Sequence, residues 1–108
     1  MSVALPEGWS GTWSAAGSAL TIDIAAAPAA GGFAAERIRV GPVLLDVEFR
    51  RRRATLVIRL VHRQGPPATL CLRLPPPEPG VVEVDGVGLA GSQVRFAFSG
   101  RHEVVAYY

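Results

Sequence analysis

DVEFRRRRATLVI, residues 46–58, decides how this chain is read. Two alternating runs flank four consecutive arginines, Arg50–Arg53. In VLLDVEF (43–49), Val43, Leu45, Val47 and Phe49 oppose Leu44, Asp46 and Glu48; in TLVIRLV (55–61), Leu56, Ile58 and Leu60 oppose Val57, Arg59 and Val61. A period of two marks a strand with one buried face. The arginines therefore fall where the chain must reverse, at a hairpin tip. Four like charges there are solvated and mutually repelling, and they discourage pairing along an open edge. Asp46 and Glu48 balance them in part, placed to face Arg59 or Val57 across the hairpin.

The same alternation extends outward in both directions. SALTIDI (18–24), ERIRV (36–40), TLCLRL (69–74) and VRFAF (94–98) each divide into an apolar and a polar or small-residue face. The segments 81–84 and 102–108 alternate less cleanly. Breakers lie between them: Pro28–Gly32 reads as a flexible connection, and Gly41-Pro42 and Ser99-Gly100 as turns. Gln64-Gly65-Pro66-Pro67 reads as a loop and Asp85-Gly86 as a two-residue hairpin. PPPEPG (75–80) cannot donate a full ladder of hydrogen bonds and reads as an extended crossover between sheets. The expectation is an all-β fold, an antiparallel β-sandwich of about seven to nine short strands, with a small closed β-barrel as the alternative. It forms one domain over 1–108, with a first strand within 1–32 and the core strands in 33–108.

Composition narrows the function classes. The chain has 108 residues, 49% of them hydrophobic, enough for a real core. All eleven basic residues are arginine and the net charge is only +2. A nucleic-acid surface calls for a stronger basic excess interleaved with aromatics, and only Phe49 is near Arg50–Arg53, so no nucleic-acid partner is expected. The longest uncharged stretch, Gly8 to Ile22, is broken by Gly, Ser and Thr, so no membrane partner is expected either. The opening MSVALPEGW lacks the basic and apolar regions of a signal peptide, which favours the cytoplasm. A single cysteine, Cys71, forbids an intrachain disulfide and leaves the compartment open.

Catalytic and cofactor chemistry finds little purchase. GVGLAG (86–91) follows a turn and leads into a strand, so the helix that would complete a phosphate loop is missing. His62, His102 and Cys71 lack zinc-site spacing, and a buried, inert thiol is the simplest role for Cys71. The pairs Asp46/Glu48 and Glu83/Asp85 each lie at i,i+2 on one face of one strand, which suits cross-strand pairing with arginine better than acid–base work across a cleft. No catalytic residue, cofactor or metal is expected. Trp9 and Trp13 in GWSGTWS could share a strand face as a sugar-stacking platform; pinning the terminal segment over the end of the core is the reading favoured. Tyr107 and Tyr108 raise the same question more weakly.

FAAERIRVGPVLLDVEFRRRRATLVIRLVHRQGP (33–66) and VVEVDGVGLAGSQVRFAFSGRHEVVAYY (81–108) resemble the C-terminal β-sandwich of (α/α)6-barrel glycosidases, including amylo-α-1,6-glucosidase relatives. The shared features are an RVG strand end, a D-x-x-F-x-R strand, an arginine-rich hairpin, a VDG turn and a terminal G-x-H-x-V strand. ALPEGW (4–9) is similar to the LP-x-x-W where such domains begin, whereas 10–32 departs from the pattern. The resemblance implies a non-catalytic accessory domain, since the family's catalytic acids belong to the helical barrel. Asp46, Phe49, Arg50, Asp85, Gly86 and His102 carry over as structural positions. The implied partners are an (α/α)6 catalytic domain or a carbohydrate, with a homodimer as a further arrangement; the candidate contacts are Trp9, Trp13, Arg50, Arg51, Arg52 and Arg53. A second reading takes GWSGTWSAAGSALTIDI (8–24) as similar to the first strand of calycin-type barrels, with Trp13 plugging the floor of a barrel that holds an apolar small molecule.

Overall fold

The computed structural model describes residues 9–24, 31–75, 79–89, 91 and 93–108. Ten strands follow one another: β1 (Trp9–Ser14), β2 (Ala19–Ile24), β3 (Gly31–Val40), β4 (Val43–Arg52), β5 (Thr55–Gln64), β6 (Ala68–Arg73), β7 (Val81–Val84), β8 (Val87–Leu89), β9 (Gln93–Phe98) and β10 (Arg101–Tyr107). One turn of 3-10 helix, Ala15–Gly17, links β1 to β2. Among the described residues no helix is long and apolar enough to cross a membrane.

The strands form two sheets, one of four in the order β1-β2-β6-β9 and one of six in the order β3-β4-β5-β10-β7-β8. The six-stranded sheet is antiparallel throughout. In the other sheet β2 and β6 run parallel, which the alternation of either strand cannot reveal. Each sheet keeps two open edges, so this is a β-sandwich and not a closed barrel. The calycin-like alternative is thereby set aside.

Alternation sets the core. Along β4, Val43, Leu45, Val47 and Phe49 are buried while the residues between them are half-exposed. Leu56, Ile58 and Leu60 repeat this on β5, Leu20, Ile22 and Ile24 on β2, and Val104 and Ala106 on β10. Each large aliphatic or aromatic side chain removed from water this way contributes about 1.5–3 kcal/mol before the cost of ordering it.

The turns take the geometry their residues suggest. Asp85 and Gly86 have φ of +51° and +86°, the mirror-image conformation that a two-residue hairpin needs to match strand twist. Gly41-Pro42 joins β3 to β4 as expected, whereas Ser99-Gly100 carries the chain from one sheet to the other. Two expectations change. Gly31 and Gly32 are strand residues of β3 rather than part of a flexible connection; a Cβ at Gly32 would run into the Phe49 carbonyl, so glycine permits the close approach. Arg50, Arg51 and Arg52 likewise belong to β4, and the reversal falls on Arg53 and Ala54 alone. Of the segment 75–80 expected as a crossover, residues 76–78 lie outside the described residues, as do 28–30 of the expected flexible connection and 4–8 of the ALPEGW stretch.

Candidate functional site

Residues between the buried positions of β4, β5, β10 and β7 point away from the core and build the outer face of the six-stranded sheet. Register sets their rows: Glu48 stands opposite Arg59, which stands opposite Glu103 on β10. Arg59 Nε donates to Glu103 Oε2 at 2.9 Å, and its Nη1 lies 3.9 Å from Glu48 Oε2. Arg50 Nε donates to the other Glu48 oxygen at 2.9 Å. The hydrogen bond and charge of Glu103, then the charge of Glu48, hold Arg59 protonated still more firmly than usual. Such exposed pairs add little stability singly; their effect is to fix long side chains in place.

Two of the grooves on this face frame its charged rows. One, of about 550 Å³, crosses Asp46, Glu48, Arg59, Arg101 and Glu103 beside the β3 segment Ala34–Glu36. The other, of about 340 Å³, lies toward the β4–β5 turn between Arg50, Arg52 and Arg59, over Thr55 and Val57. At the far side of the sheet, Tyr107 Oη donates to Glu83 Oε1 at 2.8 Å, a bond that raises the phenol's pKa above its ordinary value.

Each acid of the two i,i+2 pairs has a partner. Asp46 accepts the Arg37 amide at 2.9 Å through Oδ1 and the Arg63 guanidinium through Oδ2. Glu48 holds two arginines, and Glu83 holds Tyr107. Asp85 Oδ1 accepts the Glu103 amide at 2.8 Å, and its Oδ2 lies 2.7 Å from His102 Nδ1. At both aspartates burial works to raise the carboxyl pKa, but the donors outweigh it and leave each below the usual value: the Arg37 amide and the Arg63 guanidinium at Asp46, the Glu103 amide and the His102 ring at Asp85.

His102 shares its inward parity with Val104 and Ala106, and its ring sits between the sheets 5.0 Å from Phe96 and 5.7 Å from Phe98. Nδ1 faces Asp85 and Nε2 lies 2.9 Å from the Ser99 carbonyl. With both ring nitrogens engaged, the side chain ties the Ser99-Gly100 corner to the Asp85-Gly86 hairpin and presents no free lone pair to a substrate. His62 stacks edge-on to Phe98 at 5.3 Å, and its Nε2 lies 3.0 Å from the Pro66 carbonyl. Cys71 is buried on the other sheet and accepts a hydrogen bond from Gln93, away from either histidine. Among the described residues no group of three or more His, Cys, Asp or Glu could hold a metal ion.

The six contact candidates divide. Trp9 faces inward and is only 8% exposed, its ring in a T-shaped contact with Phe49 at 5.4 Å and 78°. Trp13, half-buried on the same face of β1, packs over Gly41. Both tryptophans thus stand on one side of β1, Trp9 buried in the core and Trp13 half-buried against it. Arg50 and Arg52 come together on the outer sheet face, Arg51 alternates to the opposite side, and Arg53 occupies the turn with φ +49°. What the sequence did not offer is the Arg59–Glu103 pair, because neighbourhood of β5 and β10, 44 residues apart at these positions, leaves no local signal.

No known protein family matches the chain, and no curated protein matches it in sequence. Among solved structures the fold is similar to part of a GH127 β-L-arabinofuranosidase from Geobacillus stearothermophilus T6, with a TM-score of 0.52 and 15% identity. The match covers 84% of this chain and 15% of that enzyme's chain. This chain therefore spans about a seventh of the length of the enzyme whose fold it shares in part.

Proposed function

We propose that this sandwich is a non-catalytic accessory domain of a carbohydrate-active enzyme, packing beside an (α/α)6 catalytic domain and offering it a glycan-facing surface. The observation that carries this reading is the likeness of nearly the whole chain to a small part of a glycoside hydrolase. The motif resemblance to the β-sandwich of amylo-α-1,6-glucosidase relatives points the same way and supplies the finer family. The engaged state of Asp46, Glu48, Asp85 and His102 also fits a supporting role, since a general acid or base needs a proton site free to reach its substrate. The glycan-facing surface in this reading is the outer face of the six-stranded sheet. Its fixed carboxylates and guanidiniums offer acceptors and donors to sugar hydroxyls. Affinity electrophoresis through gels containing α-glucan or arabinan tests it, alongside aryl-glycoside hydrolysis. Retardation without turnover is expected; turnover by the isolated chain, or free migration in both glycans, would overturn the reading.

A further inference from the structure

The smaller outer-face groove is bordered by three guanidiniums, two of them already held in place. Arg50 and Arg52 stand two residues apart on β4, Arg59 comes from β5, and Thr55 and Val57 form the floor. Arg50 is anchored through Nε to Glu48 and Arg59 through Nε to Glu103, each at 2.9 Å. An arginine fixed at Nε keeps its terminal Nη groups for a further acceptor. Ordering such a side chain before a ligand arrives reduces the entropy lost on binding. Among the described residues no carboxylate forms an ion pair with Arg52, nor with Arg51 or Arg53 on either side of it. The groove thus gathers strong planar donors in excess of their acceptors, and planar donors favour an oxyanion.

Glu48 narrows the choice of anion. Its carboxylate forms one wall, so a ligand with closely spaced negative charges would bring one of them against it. A sugar ring with one carboxylate and several hydroxyls meets no such conflict: hydroxyls donate to Glu48, and the C–H face of the ring lies on Val57. We propose that this groove binds a uronate residue of an acidic glycan, its carboxylate taken by Arg50 and Arg52. The proposal rests on the carbohydrate-associated reading above and adds the ligand class.

Calorimetric titration of the full chain with trigalacturonate, maltotriose and polyglutamate at low ionic strength tests it. Trigalacturonate is expected to bind saturably and more tightly than the other two, with a loss of about tenfold or more in Arg52→Gln. Arg50→Gln, measured in parallel, is expected to weaken binding too, and urea unfolding of both variants checks that the fold is kept. No saturable binding of trigalacturonate, unchanged binding by a folded Arg52→Gln, or polyglutamate binding as tightly as the trisaccharide would overturn the proposal. A folded Arg52→Gln chain that loses trigalacturonate while neutral glycans still retard it is the expected pattern, and gels of neutral glycan run in parallel keep failure here and failure of the accessory-domain reading separable.

Discussion

The Arg37 amide donates to Asp46 Oδ1 at 2.9 Å at the place where β3 sets two residues, Glu36 and Arg37, against one residue of β4. Arg37 takes φ +55° to do so. The other oxygen of Asp46 holds Arg63, which sits where the β4–β5 register also shifts. One carboxylate therefore secures irregularities in both strands that flank its own. Because β3 is an edge of the larger sheet, the bulge also bends that edge away from pairing with another chain.

Asp46→Ala should leave the Arg37 amide and the Arg63 guanidinium without their acceptor, costing about 1–3 kcal/mol in urea unfolding. Asp46→Asn keeps one acceptor oxygen and should cost less than half as much. Equal losses from the two variants would mean that the amide contact contributes nothing.

Acid should weaken the fold through Asp46 and Asp85. Both carboxyl pKa values lie below the ordinary 3.8 in the folded chain, so the unfolded chain takes up protons first as pH falls. Their contribution is complete above the unfolded value and is lost as pH drops through the lower folded values. The urea midpoint should hold steady down to about pH 4 and then decline, and Asp46→Asn/Asp85→Asn should decline less steeply. An identical acid decline in the double variant would contradict this assignment.

Much of the fold was legible because burial on one side imposes a period of two, and β4, β5, β2 and β9 obey it. The sheet to which each strand belongs was not legible, since strands of both sheets show the same period. The bulge at Glu36-Arg37 was hidden because no glycine marks the left-handed residue. The outer-face site was read in part: Asp46 and Glu48 do pair with arginines of the neighbouring strand, but the partners depend on bulge positions and on β10 lying beside β5. Trp9 and Trp13 stand on one face of β1, and the alternation of that strand alone does not say which way the face turns.

Two glycines separate strain from crowding. Gly86 at φ +86° has open space around it, so Gly86→Ala should cost only the left-handed backbone, about 1 kcal/mol. Gly65 at φ +109° lies against the Pro42 carbonyl, and an alanine Cβ there would overlap backbone that cannot swing aside. Gly65→Ala should cost about 2 kcal/mol or more, measured by thermal or urea unfolding. A smaller loss at Gly65 than at Gly86 would contradict the turn geometry.

Trp9→Ala should act through folding. Truncating a buried tryptophan typically costs about 3–5 kcal/mol, here including its contact with Phe49. In the wild-type chain, iodide should quench Trp9 fluorescence weakly and Trp13 more strongly, with Trp13→Phe and Trp9→Phe used to isolate each signal. Strong quenching of Trp9 would place its ring at the surface.

Whether the outer face of the six-stranded sheet meets glycan is read most directly by backbone amide chemical-shift mapping during titration with a glycan that retards the chain in gels. The perturbed amides are expected to lie on β4, β5 and β10, around Glu48, Val57, Arg59 and Glu103. Perturbation confined to β1 and the Gly41 turn around Trp13 would contradict it, and so would a retarding glycan that perturbs no amide on the outer face.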